Sequence, residues 1–282
     1  MLTTLISTAD LAARLGDPSL VVVDVRHDLA LPERWGEERY AEAHVPGARF
    51  AHLDRDLSAP KTGRNGRHPL PAPEAAAAVF GRLGVGPDTQ VVAYDQGTGM
   101  FAVRVWWMLR WLGHDAAAVL DGGFDKWVRE GRPVTRDVPP VAASRFPLRH
   151  AGAVLAAADI ERALGTGALA LVDARSAERF RGDVEPLDPV AGHIPGALNR
   201  PYAANVNPDG TFKPADVLRR EFAALLGTTP LDSVVHYCGS GVSACHNMLA
   251  MEIAGLPGTR LYPGSWSEWS ADPSRPAAKG ER

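Results

Sequence analysis

A cysteine followed by two closely spaced glycines is the part of this sequence best suited to chemistry. Cys238 comes directly after the apolar run 233–237 and leads the loop Cys-Gly-Ser-Gly-Val-Ser-Ala into a predicted helix. Glycines at 239 and 241 let successive backbone N–H groups turn toward the sulfur, and the helix adds the positive end of its dipole. Such surroundings stabilise a thiolate, so we interpret Cys238 as a nucleophile.

The second cysteine has a different setting. Cys245 lies seven residues later, on a predicted helix with Met248 and Leu249 nearby and no glycines around it, which indicates packing. With only two cysteines, both on one short segment, we expect reduced thiols rather than a disulfide. Two thiolates alone also cannot assemble a zinc or iron–sulfur site, so no metal is expected.

Two other cysteine chemistries fit the loop poorly. A cysteine phosphatase needs Cys-x5-Arg so that a guanidinium can bind the phosphoryl oxygens, and position 244 is Ala. The cysteine signature Cys-Gly-Ser-Cys-Trp of one family of thiol proteases is also absent. Neither phosphoryl transfer nor that protease class is favoured.

The chain contains two copies of one pattern. Three motifs recur at an offset of 149 residues, and two later ones at 143 and 142. The first copy has Asp95 where the second has Cys238, so only the second copy offers a nucleophile. The pairs are Asp10-Leu11 with Asp159-Ile160, 24–26 with 173–175, 44–48 with 193–197, 91–95 with 234–238, and 122–127 with 264–269.

Within each copy, short apolar runs alternate with longer segments of helical character. This alternation predicts an α/β fold with two tandem domains, each a mainly parallel sheet with helices on both faces. Ligands of such sheets bind beyond the carboxyl ends of the strands, which is where the loops after Tyr94 and Tyr237 lie. The expected strands are 20–23, 90–94, 169–172 and 233–237, and the expected helices are 9–15, 73–83, 101–112, 158–164, 215–226 and 243–254.

The length of 282 residues fits two domains. We predict a first domain at 1–132, a proline-rich linker at 133–150 and a second domain at 151–282. The first copy carries about six extra residues, which we place in the Gly- and Pro-containing segment 61–71.

Composition argues against several partners. The net charge is −3, with 30 basic and 33 acidic residues, so we expect no nucleic-acid partner. No apolar stretch approaches the roughly 18 residues of a membrane span, and the sequence start does not resemble a signal peptide; we expect a cytoplasmic protein without a membrane partner. A P-loop and a complete dinucleotide motif are both missing, so no cofactor is expected.

The duplicated order of Asp-x-Arg, His-[Val/Ile]-Pro-Gly-Ala and a cysteine loop resembles the two-domain rhodanese family of sulfurtransferases over essentially the whole chain. The loop from Cys238 to His246 is most similar to that of 3-mercaptopyruvate sulfurtransferases. Thiosulfate-preferring members usually carry Arg and Lys after the cysteine, where this chain has Gly239 and Ser240.

This resemblance implies an enzyme that moves a sulfane sulfur from 3-mercaptopyruvate, through a Cys238 persulfide, to a thiol or cyanide. The thiol acceptor could be a small thiol or a thioredoxin-like protein. Two alternatives stay open: a thiosulfate sulfurtransferase with the same persulfide mechanism, and a non-catalytic sulfur carrier or redox-sensing binding protein.

The resemblance also implies roles for individual residues. Cys238 and Ser240 are the catalytic residues, and Arg179 binds the donor's carboxylate. The amides of the loop would hold the persulfide, and His68 reaches the site from the first copy's loop. Those amides belong to Gly239, Gly241, Val242 and Ser243.

The family's second arginine is missing from the stretch Glu185–Pro189. We expect Arg64, Arg67 and His68 to compensate for it, and Arg181 could belong either to the site or to the surface. Arg175 recurs as Arg26 in the other copy, which favours a structural role.

Overall fold

A computed structural model of the chain describes residues 1–31, 33–149, 152 and 154–281. Two compact units form: 1–59, 71–152 and 207–212 make up the first, and 60–70, 153–206 and 213–282 the second. The segment 60–70, between two stretches of the first unit along the chain, thus belongs to the second unit by its contacts. The predicted linker end at 150 and domain start at 151 lie outside the described residues.

The first unit is built on a five-stranded sheet in the order β1-β5-β4-β2-β3, in which every pairing is parallel. Its central strands are continuous apolar runs because the sheet is covered on both faces. The strands are β1 Leu5–Ile6, β2 Leu20–Asp24, β3 Arg49–Phe50, β4 Gln90–Tyr94 and β5 Ala117–Leu120. The helices are α1 Thr8–Ala13, α2 Trp35–Glu42, α3 Pro73–Arg82, α4 Ala102–Trp111 and α5 Gly123–Arg129.

The second unit has a four-stranded parallel sheet in the order β7-β6-β8-β9. Its strands are β6 Ala170–Asp173, β7 Leu198–Asn199, β8 Val234–Tyr237 and β9 Arg260–Leu261. Its helices are α6 Ala157–Ala163, α7 Ala177–Arg181, α8 Ala215–Leu226, α9 Ala244–Ile253 and α10 Ser265–Trp269, with short 3-10 helices at Tyr202–Asn205 and Leu231–Ser233.

A buried ion pair recurs at equivalent positions of the two sheets. Arg26 donates to both carboxylate oxygens of Asp24 and to a backbone carbonyl, and Arg175 makes the same contacts with Asp173 and the Gly192 carbonyl. Both pairs are almost completely buried. The position of Arg175 in this repeated pair favours the structural role expected from the duplication.

The predicted α/β class, with two units of parallel sheet and helices, is confirmed. In each unit, the central strand that leads to the duplicated loop, β4 or β8, is hydrogen-bonded on both sides. Asp95 follows β4 and Cys238 follows β8, at the carboxyl edge where ligands of parallel sheets bind. Among the described helices, none combines the length and apolar character needed to cross a bilayer.

Candidate active site

Cys238 lies in a cradle of backbone amides between β8 and α9. Its side chain is 1% exposed, and its Sγ accepts the N–H groups of Ser240 at 3.4 Å and Gly241 at 3.2 Å. Both amides direct positive charge at the sulfur and favour its thiolate form. The other predicted loop residues are Gly239, Val242 and Ser243. In the described structure their backbone N–H groups donate no hydrogen bond to the sulfur.

Gly241 has a backbone that other residues rarely adopt. Its φ is +76°, and a Cβ at this position would collide with the carbonyl oxygen of Pro263. The glycine is therefore needed both for the turn and for the close approach of the 262–267 segment. From the sequence, Gly241 is expected only to let the loop amides turn toward the sulfur. The close approach of Pro263 is a second reason for a glycine here.

That neighbouring segment fixes the loop's backbone. The N–H of Cys238 donates to Ser265 Oγ at 3.1 Å, and Ser265 in turn donates to the carbonyl of Tyr262 at 3.0 Å. The N–H of Trp266 donates to the Cys238 carbonyl at 3.0 Å, and that of Ser267 to the Gly239 carbonyl at 2.9 Å. The backbone of Cys238 is thus fixed through both its N–H and its carbonyl group.

Ser265 was missed by the sequence analysis. Its φ of +55° makes it the one described non-glycine residue with positive φ, and it is fully buried. Left-handed backbone in a non-glycine residue costs energy and persists where other contacts hold it, often at functional sites. A signal existed: Gly264-Ser265 replaces Gly122-Gly123 in the duplicated motif.

His68 and Ser240 meet beside the cysteine. His68 Nδ1 lies 2.7 Å from Ser240 Oγ, and both side chains are buried. A serine hydroxyl both donates and accepts, so Ser240 can accept a hydrogen bond from the imidazole and donate its own O–H to a neighbouring atom. The structure therefore brings together two predicted residues that lie 172 positions apart along the chain.

Two guanidinium groups approach the loop at Gly239. A Cβ built at this glycine would lie 2.6 Å from Arg67 Nη2, 3.5 Å from Arg179 Nη1 and 3.7 Å from Arg179 Nη2. Gly239 therefore leaves the space that the arginines occupy. Arg179 is the predicted carboxylate-binding residue, and Arg67 is one of the three residues expected to compensate for the missing arginine.

Two acidic residues hold these arginines. Asp188 pairs with Arg67 through one oxygen and with Arg179 Nη2 through the other, the latter at 3.1 Å. Glu185 accepts a second bond from Arg179 Nη2 at 2.6 Å. Burial raises the pKa of the Asp188 carboxyl above its ordinary value, and the charge of Arg67 opposes that rise. In sequence the 185–189 stretch shows only a missing arginine, whereas in the structure its two acids hold Arg67 and Arg179.

The remaining candidates lie elsewhere in the second unit. Arg64 is exposed, and Arg181 donates to Asp183 at 2.9 Å on the surface. Cys245 is buried on α9, where its thiol donates to the Gly241 carbonyl at 3.5 Å. This placement agrees with the packing role predicted for Cys245.

This arrangement of groups is suited to sulfur chemistry on an anionic substrate. A thiol in an amide cradle is a nucleophile, adjacent guanidinium groups recognise a carboxylate, and a serine hydroxyl can stabilise a developing oxyanion.

Comparisons with known proteins match this chain to sulfurtransferases. The model of the rhodanese-like domain matches twice, at residues 7–130 and 156–272. A probable 3-mercaptopyruvate sulfurtransferase of Pseudomonas aeruginosa is 48% identical over 280 residues, which cover 98% of this chain and 98% of that protein. A putative thiosulfate sulfurtransferase, SseB of Mycobacterium tuberculosis, is 40% identical over 285 residues, covering 98% and 97%.

A solved structure shows the same architecture. SseA from Escherichia coli, described as a 3-mercaptopyruvate sulfotransferase with the rhodanese fold, matches with a TM-score of 0.81 and 32% identity over 94% of this chain and 99% of that one. The predicted resemblance is confirmed: the chain belongs to the rhodanese family of sulfurtransferases.

Proposed function

We propose that the donor is 3-mercaptopyruvate and that its sulfur passes through a persulfide on Cys238. The observation that carries this proposal is the position of Cys238 Sγ, which accepts two loop amides while two arginines lie over Gly239 in the same loop. Mercaptopyruvate presents a sulfur, a ketone oxygen and a carboxylate, and this site offers a partner for each.

The first half-reaction breaks the carbon–sulfur bond of the donor. The Cys238 thiolate attacks the donor sulfur, a sulfur–sulfur bond forms, and the bonding pair leaves on carbon as the enolate of pyruvate. That enolate takes up a proton to become pyruvate, and because the donor thiol gives up its own proton, the transfer is balanced. The amides of residues 239–243 hold the resulting persulfide anion.

Arg179 binds the donor's carboxylate, and Ser240 stabilises the ketone oxygen. Planar guanidinium geometry suits bidentate carboxylate recognition, and α7 places Arg179 beside the loop. When His68 Nδ1 carries the proton, Ser240 Oγ accepts it as a hydrogen bond and its own O–H donates to the enolate oxygen. Charge that develops on this oxygen during bond cleavage is thereby stabilised.

In the second half-reaction an acceptor removes the outer sulfur. A thiol attacks it, forms a new persulfide and returns Cys238 as thiolate, whereas cyanide leaves as thiocyanate. We propose a small thiol or a thioredoxin-like protein as the natural acceptor. In this scheme domain 1–132 is the inactive copy, although its segment 60–70 belongs to the second unit by its contacts, 133–150 is the linker and 151–282 is the catalytic copy.

Steady-state rates with 3-mercaptopyruvate and with thiosulfate, each with cyanide as acceptor, test the donor. We expect a clear preference for 3-mercaptopyruvate in kcat/KM, and a preference for thiosulfate would overturn the donor assignment. Intact-protein mass spectrometry after incubation with the donor should show one added sulfur in the wild type and in Cys245→Ala, but none in Cys238→Ser.

The same measurements separate the remaining alternative. A sulfur carrier or redox sensor would show the added sulfur on Cys238 with negligible turnover of either donor. If Cys238→Ser kept wild-type rates, both the enzymatic and the carrier hypotheses would be wrong.

A further inference from the structure

We infer that Arg67 is the second residue that binds the donor's carboxylate and a determinant of donor specificity. This inference rests on the proposed function, because it concerns the same substrate at the same site. It assigns to the segment 60–70 a direct role in recognition.

The contacts of Arg67 divide between its two terminal nitrogens. Nη1 pairs with Asp188, and Nη2 is the nitrogen that would lie 2.6 Å from a Gly239 Cβ. The pairing with Asp188 therefore orients the guanidinium so that its other nitrogen lies over the cysteine loop. The backbone N–H of Arg67 also donates to Ser267 Oγ at 3.0 Å, which fixes the segment itself.

Asp188 gives Arg67 and Arg179 a common anchor. One carboxylate joins both guanidinium groups, and both approach the same glycine. Two guanidinium groups held beside each other in advance can bind one incoming carboxylate without losing the freedom of two long side chains. A single arginine would offer the donor's carboxylate one positive charge and one bidentate contact. The pair adds a second positive charge and fixes the orientation of the carboxylate.

The local charge balance supports the pairing. Asp188 and Glu185 are almost fully buried, with side chains 2% and 3% exposed, and Arg67 and Arg179 are partly buried at 26% and 17%. The acids therefore lie on the protein side of the arginines. An anionic donor can approach the guanidinium groups from the more open side, while their charge stays compensated in its absence.

The test compares two donors that differ in one group. 3-Mercaptopyruvate carries the carboxylate, and 1-mercaptopropan-2-one keeps the thiol and ketone without it. In Arg67→Gln we expect kcat/KM for 3-mercaptopyruvate to fall about 10- to 100-fold, mainly through KM, since a charge-assisted bond is lost. For the ketone the value should stay within about twofold of wild type.

Two further readouts keep the inference falsifiable. Pyruvate, which retains the carboxylate, should inhibit Arg67→Gln more weakly than wild type. Arg67→Lys should recover part of the loss, because it restores the charge without the fork. Arg220→Gln changes an exposed arginine on α8, outside the site, and should behave like wild type.

An equal loss with both donors would show that Arg67 only shapes the loop and would overturn the inference. So would an unchanged KM for 3-mercaptopyruvate together with unchanged inhibition by pyruvate. Failure of the proposed donor is a separate result, because the wild type itself would then turn over thiosulfate in preference to 3-mercaptopyruvate.

Discussion

The loops after β4 and β8 occupy equivalent places in the two units, but a carboxylate accepts the loop amides in the first and a thiol accepts them in the second. In the first unit the Asp95 carboxylate accepts the N–H groups of Gly97 and Gly99 at 3.0 Å, Phe101 at 2.7 Å and Ala102 at 3.3 Å. In the second unit Cys238 Sγ accepts two. The first loop therefore has the same kind of amide cradle, already filled by the chain's own anion.

The size of the two groups explains why aspartate can take this place. A carboxylate oxygen stands two bonds beyond Cβ, and so does the outer sulfur of a cysteine persulfide. Burial raises the pKa of Asp95, and the four amides oppose that rise by stabilising the anion. The two cradles thus differ in the group that accepts the amides, while each lies between a strand and a helix at the same place in its unit.

The largest effect should come from making the second loop resemble the first. Cys238→Asp removes the nucleophile and supplies a permanent anion, so sulfur transfer should fall by at least about a thousandfold. Thermal unfolding should change little, because the cradle accepts a carboxylate. Kinetics with cyanide and calorimetry measure both, and Cys245→Ala is the matched control. Retention of transfer above about a thousandth of the wild-type rate would contradict the nucleophile assignment.

Removing the anion from the first loop should cost stability instead of activity. Asp95→Ala leaves four buried amides without their acceptor, and we expect the free energy of unfolding to fall by about 2 to 4 kcal/mol. Asp95→Asn keeps one acceptor oxygen and should lose less. Urea denaturation and hydrogen exchange of residues 97–102 report the change. Equal stability of Asp95→Ala and wild type would show that the first cradle does not need its anion.

Ser265 stands where the first unit has Gly123, and substitutions at Ser265 should have a smaller effect than those above. Ser265→Ala keeps the left-handed backbone but loses the acceptor of the Cys238 N–H, so kcat/KM should fall about tenfold. Ser265→Gly loses the same acceptor but relieves the strain of the left-handed backbone. Its free energy of unfolding should be about 1 kcal/mol higher than that of Ser265→Ala.

Alkylation of Cys238 by iodoacetamide adds a readout of thiol position that unfolding does not give, and it should slow in both Ser265 variants. Ser270→Ala removes another buried serine next to α10 and serves as control. Wild-type alkylation and turnover in Ser265→Ala would contradict the positioning role.

His236 and Ala93 differ at equivalent positions of the two central strands and predict the smallest effect. His236 is fully buried, and burial lowers its pKa to about 3. Its unfolded pKa is about 6.5, so below that pH the unfolded chain binds a proton that the folded chain does not, and stability falls.

Between pH 6.5 and 5.5 this histidine should cost about 1 kcal/mol of unfolding free energy. His236→Leu cannot take up the proton and should lose that much less over the same interval. Urea titrations of both proteins at the two pH values measure the difference. Identical losses would mean that other groups account for the acid sensitivity.

Much of the fold followed from local patterns. The runs that became β2, β4, β6 and β8 are apolar and short, and their expected bounds agree with the structure to within one residue at each end. The two-residue strands β1, β3, β7 and β9 went unpredicted, because so short a segment has no period of its own and exists through pairing with a neighbour. The helices α2, α5, α7 and α10 also went unpredicted, and α7 and α10, at five residues each, are too short to show a helical period.

The sequence alone determined the duplication, the parallel α/β class and the presence of a cysteine in only one of the two equivalent loops, since these depend on residue types and their spacing. Tertiary structure decided how the candidate site is assembled. Residues 67 and 68 join the cysteine loop across about 170 positions of chain, Asp188 contacts two arginines, and Ser265 holds the backbone of Cys238. Such contacts depend on where separate elements pack together after folding, and the local periodicity of the sequence cannot predict them.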